Sequence, residues 1–368
     1  MSPARDLRPA LDPPPRSVLV LRALPGLGDF LCATPALRAL RAALPGARIT
    51  LLGVPPARAL MPRYRHLLDD FLDFPGFPGL PEVPVDVAAL PGFLRAVQGR
   101  FDLALQLHGS GIVSSLFIQL LGARVAAGFY APPLPCPDLA TFMPYPAGLP
   151  EPLALLALLR FLGIPARGHH LEFPIGPADD TALTVLLRRF RVPDDIALAL
   201  LHVGATQPAR RLAPALAARV ADGLAARGFR VLLTGSDGER PLVGAVRTRA
   251  TSDPLDLAGR TTLPVLAALV RRARLVVTCD TGLSHLAAAL RTPSVVVFLA
   301  SDPRRWAPLD HARHRPLDGT RLPPTPDAIL AEVDLALAAA PTACEFAPDA
   351  IPAARHRPAT GPQEAQHG

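Results

Sequence analysis

Short apolar runs and longer amphipathic stretches alternate along most of the chain. Residues 17–22 (Ser-Val-Leu-Val-Leu-Arg) predict a buried strand, residues 25–29 a turn, and residues 36–43, after Thr34-Pro35, a helix closed by Gly46. Residues 48–52 read as the next strand and complete a βαβ unit. Further on, the pattern predicts a helix near 87–97, a strand at 102–107, a helix at 112–121, a strand at 124–128, a proline-rich loop over 130–150 and a helix at 153–162. A second series follows. It has a helix at 181–190, a strand at 196–202, a helix at 215–227 with Leu216, Val220 and Leu224 on one face, and a strand at 229–234. Thr262 caps a helix carrying Leu263, Leu266 and Val270; strands at 275–278 and 294–298, a helix from Leu283 and a final helix near 326–339 complete the series.

The two series flank residues 163–177, which hold three prolines and three glycines and read as a linker. The expected division is a disordered leader over 1–15, a first domain over 16–163, a linker over 164–178, a second domain over 179–340 and a disordered tail over 341–368. Each alternating series implies a parallel sheet covered by helices on both faces. Ligands of such sheets collect at the carboxyl ends of the strands, so two facing domains make a cleft with a different ligand on each side.

Composition narrows the partners. A length of 368 residues suits two domains, and a chain that is 50% hydrophobic can bury a large core. All 38 basic residues are arginine, and the net charge of +7 favours anionic partners such as sugar nucleotides, phosphorylated lipids or an anionic membrane surface touched peripherally. Nucleic acid is not an expected partner: the arginines are scattered, the aromatic residues are sparse, and no nucleic-acid-binding motif occurs. Cysteines 32, 136, 279 and 344 form neither a disulfide framework nor metal-ligand spacing, which fits a cytoplasmic protein. No metal site is read, and no apolar leader segment or membrane-length run is evident.

Five polar turns stand at strand ends. Pro25-Gly26-Leu27-Gly28-Asp29 lets backbone approach a ligand through Gly26 and Gly28 and places Asp29 as a base or hydroxyl-orienting group; the competing reading is a capped turn. His202–Arg211 offers Gly204, Thr206 and the paired Arg210 and Arg211 to a phosphate, or is an ordinary loop with solvated arginines. Thr234–Glu239 offers Gly235 and Glu239 to a ribose, or a plain helix cap. The stretch Asp280-Thr281-Gly282-Leu283-Ser284-His285 turns a strand directly into a helix, whose first N–H groups suit a diphosphate; otherwise Asp280 and Thr281 are caps and His285 is structural. Ser301 lies in the fifth turn.

In combination these motifs resemble glycosyltransferase family 9, the ADP-heptose:lipopolysaccharide heptosyltransferases and their relatives. The resemblance rests on Gly28-Asp29 with Thr34-Pro35-Ala36-Leu37-Arg38-Ala39-Leu40, on His202-x-Gly-Ala, on Asp256–Leu263 and above all on Asp280–Ala289. It implies a GT-B fold of two Rossmann-like domains and an inverting transfer of heptose or a similar sugar, without catalytic metal or other cofactor. The donor is a nucleotide-diphosphate sugar, and the acceptor is a cell-envelope glycan or lipid-linked saccharide. The implied catalytic base is Asp29, flanked by Gly26 and Gly28 on the acceptor side. The donor-binding set comprises Thr206, Arg210, Gly235, Glu239, Asp280, Thr281, Gly282, His285 and Ser301, with His285 weighed as structural before catalytic. Arg210 stands where the family often has lysine, Leu212-Ala213 where it has Trp-Pro, and Leu299-Ala300-Ser301 where it has Gly-Pro-Thr. These departures keep open a degenerate sugar-nucleotide-binding protein and, further down, a sugar-nucleotide epimerase. A nicotinamide enzyme ranks last because the first turn lacks the third glycine of the dinucleotide fingerprint.

Overall fold

The computed structural model describes residues 9–339; the expectations for residues 1–8 and for the tail at 341–368 lie outside the described residues. The first sheet holds β1 (Ser17–Leu21), β2 (Arg48–Gly53), β3 (Asp70–Asp73), β4 (Leu103–Gln106), β5 (Val125–Tyr130) and β6 (Phe142–Pro144). The second holds β7 (Leu198–His202), β8 (Arg230–Thr234), β9 (Leu255–Asp256), β10 (Leu275–Cys279), β11 (Ser294–Phe298) and β12 (His314–Asp318). The helices of the first half are α1 (Leu27–Ala43), α2 (Pro55–Arg58), α3 (Ala89–Val97), α4 (Ser114–Leu120) and α5 (Glu151–Phe161). Those of the second are α6 (Pro177–Arg189), α7 (Pro214–Ala226), α8 (Arg240–Arg249), α9 (Leu263–Arg272), α10 (Gly282–Ala289), α11 (Pro303–Trp306) and α12 (Pro326–Ala338).

Both sheets are parallel throughout, in the orders β3-β2-β1-β4-β5-β6 and β12-β11-β10-β7-β8-β9. Each therefore reverses direction of winding once, between β1 and β4 and between β7 and β10, and opens its crevice at that point. This is the GT-B arrangement of two Rossmann-like sheets. The central strands are apolar because both of their faces are covered: Val18–Leu21 and all of β10 are buried. The four strands missing from the sequence pattern, β3, β6, β9 and β12, are the four sheet edges. Edges carry polar and proline residues, as in Asp-Phe-Leu-Asp and His-Arg-Pro-Leu-Asp, and so lack the apolar run that marks a central strand. Helices α2, α8 and α11 were likewise not expected, and β6 lies within the expected loop at 130–150.

Helix α1 differs from the expectation in a way that moves the site. It begins at Leu27 rather than Ala36, with Gly26 as N-cap, and runs through Pro35. Proline removes the N–H that would bond the Leu31 carbonyl. The Thr34 hydroxyl donates to that carbonyl instead, at 2.8 Å, so the helix passes the proline with its acceptor satisfied. Gly28 and Asp29 thus lie in the first helical turn, not in a loop before it.

The two halves share one core. Leu31, Leu37 and Leu155 of the first pack in the same apolar cluster as Leu283, Leu286 and Ala287 of α10. The segment between α5 and α6 is irregular but packed: Ile164, Leu171 and Phe173 are buried, and the Tyr64 hydroxyl donates to the Glu172 carbonyl at 2.8 Å. Arg63 reaches Asp179 on α6 with a second N–H at 2.8 Å. Residues 9–15 also depart from the expected disordered leader, since Pro9–Leu11 forms a helical turn that buries Leu11 completely. Among the described residues, no helix is long and apolar enough to cross a membrane.

Replacing Thr34 by valine leaves the buried Leu31 carbonyl without its donor. The unfolding free energy should fall by about 1–3 kcal/mol in urea titration; an unchanged midpoint would contradict this account of how α1 tolerates Pro35.

Candidate functional site

The first crevice lies beyond β1 and β4. Arg22 directly follows β1, a charged residue after an apolar run, and it is only 2% exposed. Its guanidinium donates to the Leu107 carbonyl at 2.6 Å, to the Asp29 carbonyl at 3.1 and 2.8 Å and to Glu151 Oε1 at 3.0 Å. Its Nη2 stands 3.7 Å from Asp29 Oδ1. Burial opposes the charge on Arg22, but Glu151 and then Asp29 outweigh it and raise the pKa. Asp29 itself, in the third position of α1, keeps 24% of its side chain exposed to the crevice and folds back over Gly26. Beside it, His108 follows β4. The Ala23 N–H donates to His108 Nδ1 at 3.2 Å, which leaves the proton on Nε2, 3.1 Å from Glu82 Oε1. The other oxygen of Glu82 is buried with no hydrogen-bond partner.

The second crevice lies beyond β7 and β10. Asp280 does not cap α10; Thr281 does, accepting from the Leu283 N–H at 3.3 Å. Asp280 is buried and instead accepts from the Ser301 hydroxyl in the turn after β11, while Arg210 Nη1 stands 3.6 Å away. The Nε of Arg210 is buried and has no hydrogen-bond partner. Thr206 is exposed at the rim of the same loop. Glu239 forms a capping box with Ser236, accepting its N–H at 2.7 Å and its hydroxyl at 2.9 Å through Oε2. The cap reading is therefore realised, yet the same carboxylate lies against Gly204 and beside Gly235, between the two loops. A recess lined by Ser301, Arg304, Thr320 and Arg321 adjoins this cluster.

The two crevices meet at the first turns of α1 and α10, and glycine permits the meeting. A Cβ on Gly282 would lie 3.0 Å from Leu27 Cβ, and one on Gly28 would lie 2.5 Å from His285 Cδ2. His285 is buried in this seam, with Nδ1 at 3.6 Å from the Cys32 thiol and its ring edge-on to Trp306. Burial lowers its pKa, against the pull of Asp280 and Asp29 on either side. Burial also pushes the Cys32 thiol well up, so neither group is charged near neutrality. Behind His285, on the linker side, a cavity of about 300 Å³ is lined by His169, His170, Ala288, Arg291, Leu309 and His314 among others. Neither Asp29 nor Asp280 lines it.

Against known proteins, the family model described as glycosyltransferase family 9 (heptosyltransferase) matches residues 160–317. That segment, less than half of the chain, is similar to this family. The matched segment contains β7 to β11 and the second-crevice residues Thr206, Arg210, Gly235, Glu239, Asp280, Thr281, Gly282 and Ser301. Lipopolysaccharide heptosyltransferase 3 of Escherichia coli is 37% identical over 92 residues, which cover 24% of this chain and 27% of that protein. The match thus spans about a quarter of that relative's length. The solved family 9 glycosyl transferase from Veillonella parvula DSM 2008 superposes with a TM-score of 0.69 at 20% identity, over 86% of this chain and 88% of that one. The E. coli ADP-heptose lps heptosyltransferase II gives 0.66 at 22% identity, over 87% and 98%. At these identities the structural likeness speaks for the fold, and it extends to the first domain, which the family model does not reach.

Within this site, the structure brings Arg210, Asp280, Thr281, Gly282 and Ser301 together, sets Glu239, Gly235 and Thr206 around them, and leaves Asp29, Gly26 and Gly28 across the seam. Sequence reasoning missed Arg22, Glu151, Arg305 and His108. Arg22 and Glu151 are 129 positions apart, and each read locally as a flank of an apolar element. Among the described residues, no group of three or more His, Cys, Asp or Glu side chains could hold a metal ion.

Buried His108, His285 and His314 each have a pKa lowered first by burial, His314 to about 4. The unfolded chain protonates its histidines near 6.5 while the folded chain resists, so stability present above that value drains away as pH falls. For His314 the loss runs from about 6.5 to about 4. Urea midpoints should therefore decline from about pH 7 to about pH 5, by up to about 1.4 kcal/mol per pH unit for each such histidine. A flat midpoint over that window would show that these buried histidines accept protons as readily as unfolded ones.

Proposed function

We propose that this protein is an inverting glycosyltransferase that moves heptose or a related sugar from a nucleotide-diphosphate donor to a cell-envelope glycan or lipid-linked acceptor. The observation that carries the reading is the opposition of two switch-point crevices. One presents a part-exposed carboxylate, Asp29; the other presents Arg210 with a buried, unpartnered N–H beside Asp280. The similarity to family 9 and to heptosyltransferases supports the donor class.

In this reading the donor lies in the second crevice. Arg210 and the first turn of α10, at Thr281 and Gly282, receive the diphosphate, Asp280 meets the sugar, and Glu239 with Gly235 meets the ribose. Thr206 and Ser301 border the phosphate path, and His285 shapes the seam behind it. Asp29 takes the proton from an acceptor hydroxyl as that oxygen attacks the anomeric carbon. The bond to the diphosphate breaks on the opposite face, and the leaving group departs with the electron pair. Arg210 then faces more negative charge than in the ground state, which lowers the barrier rather than merely tightening binding. Proton transfer and leaving-group charge are both handled by side chains, so the reaction is read as metal-independent. Such an acceptor places the work at the inner face of the cytoplasmic membrane, where the positive charge favours peripheral contact.

The test is transfer against a panel of nucleotide sugars, with Asp29→Asn and Arg210→Gln. Asp29→Asn should lower kcat by about 10²–10⁴-fold with donor affinity retained. Arg210→Gln should weaken donor binding by about 10–100-fold in calorimetry, the range for losing a charged hydrogen-bond donor. Undiminished transfer by Asp29→Asn removes Asp29 as the base. Donor binding with no product from the native protein would favour the sugar-nucleotide-binding reading instead, and donor turnover without acceptor would favour the epimerase.

A further inference from the structure

Helix α11 carries two adjacent arginines with opposite fates. Arg304 is exposed and turns back to Asp302, at 3.0 Å. Arg305 points across the seam to the first domain, where its Nε and Nη2 donate to Glu151 Oε2 at 3.2 and 3.0 Å. Its guanidinium lies 4.6 Å from the ring centroid of Trp306 in its own domain and 5.6 Å from that of Tyr145 in the other. The Tyr145 hydroxyl donates to the same carboxylate oxygen at 2.8 Å. Glu151, 1% exposed at the start of α5, is thus divided between two guanidiniums: Arg22 on Oε1, Arg305 on Oε2. Arg22 in turn holds the Asp29 carbonyl. A continuous path of charge-assisted hydrogen bonds runs from the second domain to the turn of Asp29.

We propose that Arg305 is a positioning residue that completes this network from the second domain, so that seating the domains on each other and ordering the turn of Asp29 are one event. The physical reason is the sharing of Glu151. One buried carboxylate answers two cations, and Arg305 is the only one of the two supplied from the second domain. When Arg305 docks, it fixes the Glu151 carboxylate and draws on its charge. More of the Arg22 field is then left for the Asp29 carboxylate, 3.7 Å away. When the second domain swings away, Arg305 leaves, Glu151 keeps Arg22 and Tyr145 alone, and the Arg22 that holds the first turn of α1 is steadied through a carboxylate fixed from one side only. The kinetic consequence rests on Asp29 acting as the base; the structural one does not.

The test compares full-length native protein, Arg305→Gln and Arg305→Lys by hydrogen exchange, small-angle scattering and, with a working donor, steady-state kinetics. Arg305→Gln should speed exchange over residues 22–31 and 145–155 and enlarge the scattering radius. It should also lower kcat by about 10–100-fold while the donor KM changes little, the pattern of a misplaced reacting group. Arg305→Lys keeps the charge but not the fork or the stacking and should fall between. Exchange that changes only around residues 303–306 overturns the proposal, as does a domain opening that leaves kcat intact while Asp29→Asn is inactive. If the native protein transfers no sugar, the function reading fails, and exchange over residues 22–31 still decides whether Arg305 orders that turn.

Discussion

The buried pair of Arg22 and Glu151 is the constraint on which the rest of the site depends. Two groups at 2% and 1% exposure cannot stay charged without filling nearly every hydrogen-bonding position, and they do. Arg22 spends its N–H groups on Leu107, Asp29 and Glu151, and Glu151 gathers Arg22, Tyr145 and Arg305. Removing one partner of such a pair typically costs about 3–5 kcal/mol, because the other is left charged and buried. An apolar pair of equal volume would hold β1 to α5 equally well. What the ion pair adds is direction: it fixes where the end of β1, the first turn of α1 and the start of α5 stand relative to one another. Glu151 is held below the ordinary carboxylate range because Arg22 and Arg305 together outweigh its burial.

From that point the cleft follows from topology. Two sheets of the same strand order each open at one switch point, and the first turns of α1 and α10 bring the openings together. Gly28 and Gly282 remove the side chains that would separate them, and His285 fills what remains as a neutral, buried ring. The domains are consequently joined by apolar contact at the seam and by charge beside it. That combination allows a close fit with a defined orientation.

The central strands and the strand-end turns were legible in the sequence because buried parallel strands are continuous apolar runs and polar turns interrupt them. The edge strands were not, since Asp70–Asp73 and His314–Asp318 carry the polar residues that edges need. The true start of α1 was hidden by Pro35, whose usual meaning as a helix boundary is cancelled by one hydroxyl on Thr34. In the site, Arg210, Asp280 and Ser301 could be named because each lies in the polar turn that follows a strand in the same half of the chain. Arg22, Glu151 and Arg305 could not, because each looks like an ordinary flank or cap until folding removes more than a hundred residues of separation. Glu239 illustrates the converse: both local readings, cap and ligand-facing acid, use the same carboxylate.

The central claim is that the second switch point receives the diphosphate and the first faces the acceptor. It is tested most directly by a crystal structure of the protein with a bound nucleoside diphosphate. The account predicts the diphosphate at the carboxyl ends of β7 and β10, with Arg210 Nε and the first-turn N–H groups of α10 as donors and Asp29 across the seam, free of the nucleotide. A nucleotide seated instead in the cavity lined by His169, His170 and His314, or over Asp29 in the first crevice, would contradict it.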